Sequence, residues 1–381
     1  MNILYALRCR VSRGWLAGLL VVAFGPTQAA PASCEAANAS YATALARLDG
    51  FALGLTHADR FSGVVLVARD GRVLLDKAYG KRDAERSDPV TVDTRFNLAS
   101  AGKMFTSVAI LQLIAAHRLS FDTHVGDVLK HYPNRTFANT VTVRELLTHT
   151  GGAGDIPLFG IENAANRARV HNVADMLALG DRRPPAFKPG SKLVYGNFGY
   201  VVLGRMVEVL SGEDFETYVR RHVFKPAGMT QTGFVHCTTH DPSLAVGYST
   251  VDGKRVPNCA TEPKHGFPAG GEVSTTRDMY RFVRALQTGK LIPHALFAKA
   301  TRTYRAYMGL GFFATGYGLG RPRRDFRWGH GGSGDGMCND VRTYPETGET
   351  IIVLSNRSPP VCYPVANFLH QYRDGESHRT N

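Results

Sequence analysis

Beyond its first 25 residues, the chain has no apolar run near the ~20 residues that a membrane-spanning helix needs. None of its six cysteines belongs to a Cys-x-x-Cys pair, so neither a thiolate metal site nor a dithiol redox motif is predicted. The chain has no His-Glu-x-x-His motif and no dense cluster of histidine and aspartate, which argues against a zinc hydrolase or another metal centre. It also lacks a run of lysine and arginine interleaved with aromatic residues, so nucleic acid is not an expected partner.

The chain is long and apolar enough to bury a substantial core. Its 381 residues are 44% hydrophobic, which fits one large or two to three smaller globular units at roughly 150 residues each. The formal net charge is +13, and a basic surface attracts anionic polymers or membranes at long range. Because the lysines and arginines are scattered, the simpler interpretation is a soluble basic protein.

The first 30 residues have the order of an export signal. The apolar run Trp15–Gly25 is too short to span a bilayer and is followed by the small residues of Thr27-Gln28-Ala29-Ala30. We expect residues 1–30 to be a cleaved signal peptide and the protein to be periplasmic or secreted. The alternatives are an uncleaved membrane anchor and a lipid anchor on Cys34. Three arginines make the start of the segment positive: Arg8, Arg10 and Arg13.

Five cysteines remain once Cys9 leaves with the signal. An exported protein can keep disulfides, and four cysteines permit three pairings. Cys237–Cys259 and Cys338–Cys362 would close the shortest loops, so these two pairs are the preferred prediction.

Apolar periodicity predicts an α/β (α+β) fold. Residues 38–58 have helical spacing, and Asp70-Gly71 between the apolar runs Ser62–Arg69 and Arg72–Gly80 predicts a β-hairpin. Further helices are expected over Ser100–His117, Thr142–His149, 163–180, 198–210, Thr276–Thr288 and 362–373, and further strands over 308–315, 325–329, 336–344 and 350–355.

Strands near both ends of the chain, with helices between them, predict one antiparallel sheet built from the two termini and flanked by helices. Residues 38–95 and 266–375 would form this α/β lobe. Residues 96–265 would form an inserted lobe of helices and loops.

Ser100-Ala101-Gly102-Lys103 opens one of the predicted helices and is the only Ser-x-x-Lys sequence in the chain. Residues three apart lie on the same helix face, so the Lys103 amine can reach the Ser100 hydroxyl. A serine hydroxyl is a weak nucleophile until a neighbouring base removes its proton. Taken alone, the sequence is equally typical of a helix cap followed by a solvated lysine.

Tyr195-Gly196-Asn197 lies in a loop just before a predicted helix. A phenol beside an amine can pass a proton to a leaving group, and the Asn197 amide can bind a substrate or the lysine. Tyr132-Pro133-Asn134 has the same spacing. It follows a short predicted helix and contains a proline turn, so we interpret it as structural.

His330-Gly331-Gly332 lies in the glycine-rich stretch Trp328–Gly334, which we place at the start of a strand. Glycines permit a backbone to approach a ligand closely. A single histidine in this setting is more often structural, and only its combination with the two earlier motifs favours a functional interpretation.

Ser-x-x-Lys, Tyr-x-Asn and His-x-Gly in this order resemble the penicillin-recognising serine hydrolases, above all the group of class C β-lactamases, D-alanyl-D-alanine carboxypeptidases and esterases. Three further segments are similar to that group, and the resemblance covers about residues 45–372. These segments are Phe96-Asn97-Leu98-Ala99, Leu146–Gly152 and Phe267–Thr275.

The resemblance implies a role for each motif. Ser100 would form an acyl-enzyme, Lys103 would be the base in acylation, and Tyr195 would be a proton shuttle or base in both steps. The backbone N–H groups of Ser100 and Ser333 would form the oxyanion hole. No cofactor is implied, and the partner would be a small-molecule or peptide-like acyl substrate. The residues facing the substrate or the oxyanion would be Asn197, His330, Gly332 and Ser333.

The third motif departs from the β-lactamase pattern, which usually reads Lys-Thr-Gly. Gly331 offers no hydroxyl, and a neutral histidine at His330 holds an anion less well than lysine near pH 7. We therefore expect an esterase, an amidase or a D-amino-acid peptidase. The alternatives are a β-lactamase, or a penicillin-binding sensor that is acylated without turnover. An α/β-hydrolase is not expected, because the chain has no Gly-x-Ser-x-Gly motif.

Overall fold

The computed structural model describes residues 32–234, 241–318 and 321–377. The predicted signal peptide, residues 1–30, and the predicted disulfide partner Cys237 lie outside these ranges. Within the described ranges, no helix combines the length and the apolar character needed to cross a membrane.

The centre of the fold is a six-stranded antiparallel sheet, and two short strand pairs lie outside it. The order of the six strands is β2-β1-β10-β9-β8-β7. The strands of the described chain are β1 (Gly63–Arg69), β2 (Arg72–Tyr79), β3 (Phe96–Asn97), β4 (Tyr248–Val251), β5 (Lys254–Pro257), β6 (Val273–Ser274), β7 (Phe313–Gly318), β8 (Arg321–Gly334), β9 (Met337–Tyr344) and β10 (Glu349–Ser355).

Helices surround the sheet and fill the middle of the chain. Single 3₁₀ turns occur at Ala99–Gly102, Ile161–Asn163 and Asn258–Ala260, and a π turn at Arg220–Phe224. The α-helices of the described residues are α1 (Ala32–His57), α2 (Lys103–Ala115), α3 (Val125–Val128), α4 (Arg135–Thr140), α5 (Val143–Leu147), α6 (Ala164–Arg169), α7 (Val173–Ala178), α8 (Phe198–Ser211), α9 (Phe215–Val219), α10 (Lys225–Ala227), α11 (Thr276–Gln287), α12 (His294–Ala300) and α13 (Cys362–Ser377).

The two ends of the chain meet in the sheet, as predicted. β1 pairs with β10 in an antiparallel register that places Val65 opposite Val353. The β1–β2 hairpin turns through Asp70 and Gly71, whose φ angles are 51° and 85°. Positive φ at both central residues matches the turn type that joins twisted antiparallel strands in two residues. The predicted α+β fold with one antiparallel sheet is therefore confirmed.

Both faces of the central strands are buried. Val65 and Val67 of β1 pack in one apolar cluster with residues of α1 and α13. Val64 and Leu66 point the other way, into a larger cluster that includes α2, α8 and α11. A strand covered on both faces is a continuous apolar run instead of an alternating one, which is why β1 has the sequence Gly-Val-Val-Leu-Val-Ala-Arg.

Several predicted boundaries are wrong. Residues 163–180 form two helices instead of one, because the chain is extended at Val170 and the Asn172 side chain caps α7. The strand expected over 325–329 is longer: β8 continues to Gly334, so His330 lies near the end of a strand and not at its start.

Other differences concern elements with weak local signals. The expected strand 308–315 is displaced to β7, and the hairpin of β4 and β5 within the middle region was not predicted. Tyr132 is buried and stacks on Phe137 with ring centres 5.3 Å apart. Its core position accords with the structural interpretation of Tyr132-Pro133-Asn134.

A disulfide joins the start of β9 to the start of α13. Cys338 and Cys362 are both fully buried, with 2.02 Å between their sulfur atoms. This is one of the two expected pairs. The other pair includes Cys237, outside the described residues, and it stays a prediction.

Candidate active site

Ser100 lies on a sharp turn between β3 and α2. The Asn97 side-chain oxygen accepts a hydrogen bond of 2.8 Å from the Ala99 backbone N–H, and Ala99 has a φ of 45°. A positive φ is uncommon for a residue with a side chain. The 3₁₀ turn Ala99–Gly102 then leads directly into Lys103, which keeps the serine and the lysine on one face.

Two glycine segments close over this turn. A Cβ atom at Gly332 would lie 2.0 Å from the Leu98 carbonyl oxygen, and one at Gly270 would lie 2.0 Å from the Ala99 carbonyl oxygen. Only glycine permits such close backbone approach. The end of β8 and the loop before β6 therefore pack directly against the turn that carries Ser100.

The Lys103 side chain is fully buried beside Ser100. Its Nζ contacts the Ser100 hydroxyl oxygen at 3.0 Å. It also donates to the Asn197 side-chain oxygen and to the Ala269 carbonyl oxygen, each at 2.7 Å. These three contacts hold the amine against the nucleophile from three separate segments of the chain.

The three partners are suited to a neutral amine. The Asn197 and Ala269 oxygens can only accept hydrogen bonds, whereas the Ser100 hydroxyl can also donate one. A neutral Lys103 amine has two hydrogens for the two acceptors. Its lone pair is then left facing the Ser100 hydroxyl, which is the arrangement that a general base requires.

Burial makes this neutral form accessible near neutral pH. Burial lowers the pKa of Lys103, and the carboxyl groups of Asp155 and Glu272 oppose the shift, which leaves the pKa at about 7. An ordinary lysine titrates about three units higher. The neutral amine is therefore well populated at neutral pH.

The Tyr195 phenol lies beside this pair, and the Lys103 nitrogen is 5.0 Å from the centre of its ring. Burial raises the pKa of Tyr195 well above its usual range, and the adjacent Ser100 hydroxyl lowers it to a smaller extent. The phenol hydroxyl makes no hydrogen bond of standard geometry with any described residue. Tyr195 is therefore a protonated phenol. It contacts the Ser100 hydroxyl without a hydrogen bond of standard geometry, so its O–H is available to a substrate.

His149, for which no role was predicted from the sequence, packs against the ring of Tyr195. The two rings stack with centres 4.2 Å apart, and Tyr200 stacks on the same imidazole at 5.1 Å. The Gly196 backbone N–H donates to its Nδ1 at 3.4 Å. Burial, followed by the charge of Lys103, holds the pKa of His149 well below its usual range. The only sequence signal was its place in the Leu146–Gly152 segment.

Asn197 is itself fixed by Asp155. The Asn197 side-chain nitrogen donates to the Asp155 carboxylate at 2.8 Å, and the Asn197 backbone N–H donates to the same oxygen at 3.3 Å. With its nitrogen held there, the amide presents its oxygen to Lys103. The sequence interpretation did not select Asp155, because nothing local marks it as a partner of a residue 42 positions later.

His330 is buried and uncharged. Burial and the charge of Lys103 lower its pKa to about 3. Its Nδ1 lies 2.5 Å from the Gly331 carbonyl oxygen, and since a carbonyl only accepts, this nitrogen carries the hydrogen. The Nε2 atom, which has no partner among the described residues, is then an acceptor. The imidazole stacks on Phe313 with ring centres 3.9 Å apart.

The cleft at Ser100 has two arms, and both are lined by Ser100 and Ser333. The aromatic arm, of about 480 Å³, also contains Tyr195, Tyr307, Phe313, Arg327 and His330. The acidic arm, of about 230 Å³, also contains Asn97, Phe159, Asn197, Glu262 and Phe267.

A carboxyl group is buried beneath the nucleophile turn. Glu272 is fully buried, and neither of its carboxyl oxygens has a hydrogen-bond partner in the described part of the chain. A Cβ atom on Gly102 would lie 1.8 Å from one of these oxygens, so the carboxyl lies directly against the residue before Lys103. Burial raises the pKa of Glu272 to about 8, and the group is therefore mostly neutral at pH 7.

The structure thus brings the predicted site residues into one place. The Ser100 hydroxyl is surrounded by Lys103, Tyr195 and Asn197, and the glycine-rich end of β8 packs against the same place. The cysteines were not predicted to take part in the chemistry, and Cys338 and Cys362 line neither arm. The site contacts that the sequence did not reveal are His149, Asp155, Tyr200, Glu272 and Phe313.

The chain is similar to known proteins both in sequence and in fold. The sequence model of the family described as Beta-lactamase matches residues 48–371. PbpX of Bacillus subtilis (strain 168), whose name gives it provisionally as a penicillin-binding protein, is 30% identical over 294 residues. This match covers 77% of the present chain and 70% of PbpX.

Two solved structures have the same fold. The penicillin-binding protein from Bacillus halodurans superposes with a TM-score of 0.72 at 27% identity, covering 84% of this chain and 98% of that one. The D-stereospecific amidohydrolase from Streptomyces sp. superposes with a TM-score of 0.68 at 25% identity, covering 82% of this chain and 94% of that one.

The pKa of Lys103 predicts the pH dependence of acylation. The ammonium form cannot accept the Ser100 proton, so kcat/KM for an activated ester should rise with pH through about 7 and level off above it. Lys103→Arg, which is never neutral, should lower kcat/KM by about 10²–10⁴-fold. Stopped-flow acylation rates from pH 5 to 9 measure both. A pH-independent rate, or an arginine variant within tenfold of wild type, would contradict the assignment.

Glu272 predicts a second result, for a carboxyl that is buried but mostly neutral. Burial raises the pKa of Glu272 to about 8, above the pKa of Lys103 at about 7, so the carboxyl carries little charge on the acid limb of the profile. Glu272→Gln, which is neutral at every pH, should therefore leave that limb in place and keep kcat/KM at pH 7 within about twofold of wild type. Glu346→Gln, at an exposed turn, is the matched control. An acid limb that moves to lower pH in Glu272→Gln would show instead that Glu272 is ionised beside Lys103.

Proposed function

The chain belongs to the beta-lactamase family and is a serine hydrolase of that family, and from this premise we propose that it cleaves ester or amide bonds through an acyl-enzyme on Ser100. The observation that carries the proposal is the fully buried Lys103 amine, 3.0 Å from the Ser100 hydroxyl oxygen. Its two remaining contacts are with pure acceptors.

Acylation follows from this arrangement. The Ser100 oxygen attacks the substrate carbonyl carbon while its proton passes to the Lys103 amine. The developing oxyanion is met by the backbone N–H groups of Ser100 and Ser333, and one such donor contributes roughly 3–4 kcal/mol to lowering a barrier. The bond to the leaving group then breaks.

The protonated phenol of Tyr195 supplies the leaving group with a proton and is reprotonated from Lys103. Since Lys103 thereby returns to its neutral form, water can be activated in the same place. Water then attacks the acyl carbon and releases the acid, and the proton taken from water restores the Ser100 hydroxyl. The site thus returns to its starting protonation state with one ester or amide bond hydrolysed.

Amides and esters, including those of D-amino acids, are the favoured substrates. His330 is neutral over the whole physiological range, so the motif that carries a lysine in β-lactamases provides no cation here. The amidohydrolase from Streptomyces sp. is described as D-stereospecific. D-Amino-acid amides and D-alanyl peptides are therefore the first compounds to test, together with simple esters.

A second candidate function is acylation by β-lactams with slow or no turnover. The names of PbpX and of the Bacillus halodurans protein describe penicillin binding. In the aromatic arm, Arg327 has no ion pair with any described residue and is only partly exposed. A guanidinium in that position can pair with the carboxylate of a penicillin.

One substrate panel tests both functions. Wild type should hydrolyse p-nitrophenyl esters and D-alanyl amides, and Ser100→Ala should lower each rate at least about 10³-fold, because the nucleophile is lost. Nitrocefin hydrolysis and intact mass after penicillin exposure separate turnover from a stable acyl adduct. Turnover that is unchanged in Ser100→Ala would remove the mechanism.

We also propose that the protein is exported, to the periplasm or beyond the cell. Residues 1–30 have the charge, apolar and small-residue order of a signal peptide. The buried Cys338–Cys362 disulfide is typical of an oxidising compartment.

Expression of the full chain in a bacterial host tests the export proposal. The mature protein should be found outside the cytosol, and N-terminal sequencing should show that its first residue is the one that follows Ala29 or Ala30. An intact chain that stays in the cytosolic fraction with its thiols reduced would contradict it.

A further inference from the structure

Glu262 projects a carboxyl into the acidic arm of the cleft. Its backbone N–H donates to the Asn258 carbonyl oxygen at 2.9 Å. The Asn258 side-chain nitrogen donates to the Asp335 carbonyl oxygen, also at 2.9 Å. These bonds fasten the Glu262 loop to the turn after β8, which places the carboxyl beside Ser333.

The glycine next to Ser333 brings the end of β8 close to this carboxyl. A Cβ atom at Gly334 would lie 3.5 Å from a Glu262 carboxyl oxygen and 2.7 Å from the Met337 Cε atom. The space for a ligand is therefore the arm itself, of about 230 Å³, which Glu262, Ser333 and Gly334 line together. The aromatic rings of Phe159 and Phe267, whose centres are 6.3 Å apart, form another wall of the arm. A cation bound there would face both a carboxyl and aromatic rings, which attract cations.

The Glu262 carboxyl has no partner of its own in the described chain. The cation that acts on it is Arg167, and the Arg167 guanidinium is already bonded to the carbonyl oxygens of Leu158, Gly160 and Ala260. Burial, followed by the negative charge of Asp335, raises the pKa of Glu262 to about 7. The carboxyl is thus destabilised as an anion, and a bound cation would relieve that penalty.

The position of Tyr195 decides which part of a substrate meets Glu262. Tyr195, which protonates the leaving group in the proposed mechanism, lines the aromatic arm and not the acidic arm. The leaving group therefore occupies the aromatic arm. The acyl part, on the other side of the scissile bond, extends past Asn197 into the acidic arm.

We propose that Glu262 binds a protonated amine on the acyl part of the substrate, so that amino-acid and peptide amides or esters with a free amino group are preferred. This inference rests on the proposed hydrolase function. The protein as a whole is basic, with a formal net charge of +13, so its surface attracts anions. The Glu262 carboxyl gives the acidic arm the opposite preference, for cations. N-acylated and anionic acyl groups would leave the carboxyl unpaired and are selected against.

The test compares matched acyl donors whose amino group is either free and protonated or acetylated and uncharged. D-Alanyl-p-nitroanilide and glycyl-D-alanyl-p-nitroanilide place a free amine at two distances from the scissile bond, and each has an N-acetyl counterpart. Wild type should favour the free amine in at least one pair. Glu262→Gln should reduce that ratio of kcat/KM values by about ten- to hundredfold, as expected for loss of a charge-assisted hydrogen bond.

The ratio separates a binding role from general damage, because misfolding lowers both rates together. Glu262→Asp keeps the charge and should retain part of the preference, and Glu346→Gln at an exposed turn should not change it. Where turnover of the amides is too slow to measure, 1-aminoethylboronic acid and its N-acetyl derivative give the same ratio as inhibition or binding constants.

The outcomes distinguish this inference from the function on which it rests. If Ser100→Ala abolishes hydrolysis but Glu262→Gln leaves the amine preference unchanged, or if wild type favours the acetylated member of both pairs, the inference is wrong and the hydrolase stands. If hydrolysis survives in Ser100→Ala, the proposed function itself fails.

Discussion

The burial of one amine is the constraint on which the site depends. Lys103 lies at the start of α2 with no solvent exposure, and its nitrogen is held by Ser100, Asn197 and Ala269. Burial lowers the pKa of an amine because the charged form loses its hydration. The same three contacts that fix the amine in space also distribute its hydrogens, so that its lone pair faces the serine. Position and protonation state therefore have one cause.

The groups around Lys103 are buried but uncharged. His330 and His149 are neutral imidazoles, Tyr195 is a protonated phenol, and Glu272 is largely a protonated acid at pH 7. A fully ionised carboxylate beside Lys103 would stabilise the ammonium and remove the base. Asp155 contributes through Asn197. It accepts a hydrogen bond from the Asn197 side-chain nitrogen, so that the oxygen of the same amide faces the Lys103 amine.

The sheet places a distant segment at the same point. β8 lies between β7 and β9 in a sheet whose far edge is formed by β2 and β1 from the start of the chain, and it extends to Gly334. Its last residues pass so close to the nucleophile turn that a Cβ atom at Gly332 would collide with the Leu98 carbonyl oxygen. The two-armed shape of the cleft follows from this contact, because the end of β8 divides the space around Ser100 into an aromatic side and an acidic side.

Sequence alone determined the elements whose signals are local. The hairpin at Asp70-Gly71, the buried run of β1 and the spacing of Ser100 and Lys103 each depend on a few neighbouring residues, and periodicity or turn chemistry reveals them directly. The order of three motifs indicated the family. The boundaries of several helices and strands were predicted wrongly. β8 contains many glycines, so its length depends on pairing with β9 and cannot be inferred from apolar alternation.

Only the tertiary structure decided the contacts that give the site its chemistry. Asp155 and Asn197, Glu272 and Gly102, and Glu262 and Gly334 are pairs of residues from different segments, and no periodic pattern connects them. The pKa of a buried group depends on how much water the whole fold removes from it and on which charges remain nearby. A sequence can therefore name Ser100 and Lys103 as partners, but whether that lysine is a base is decided by folding.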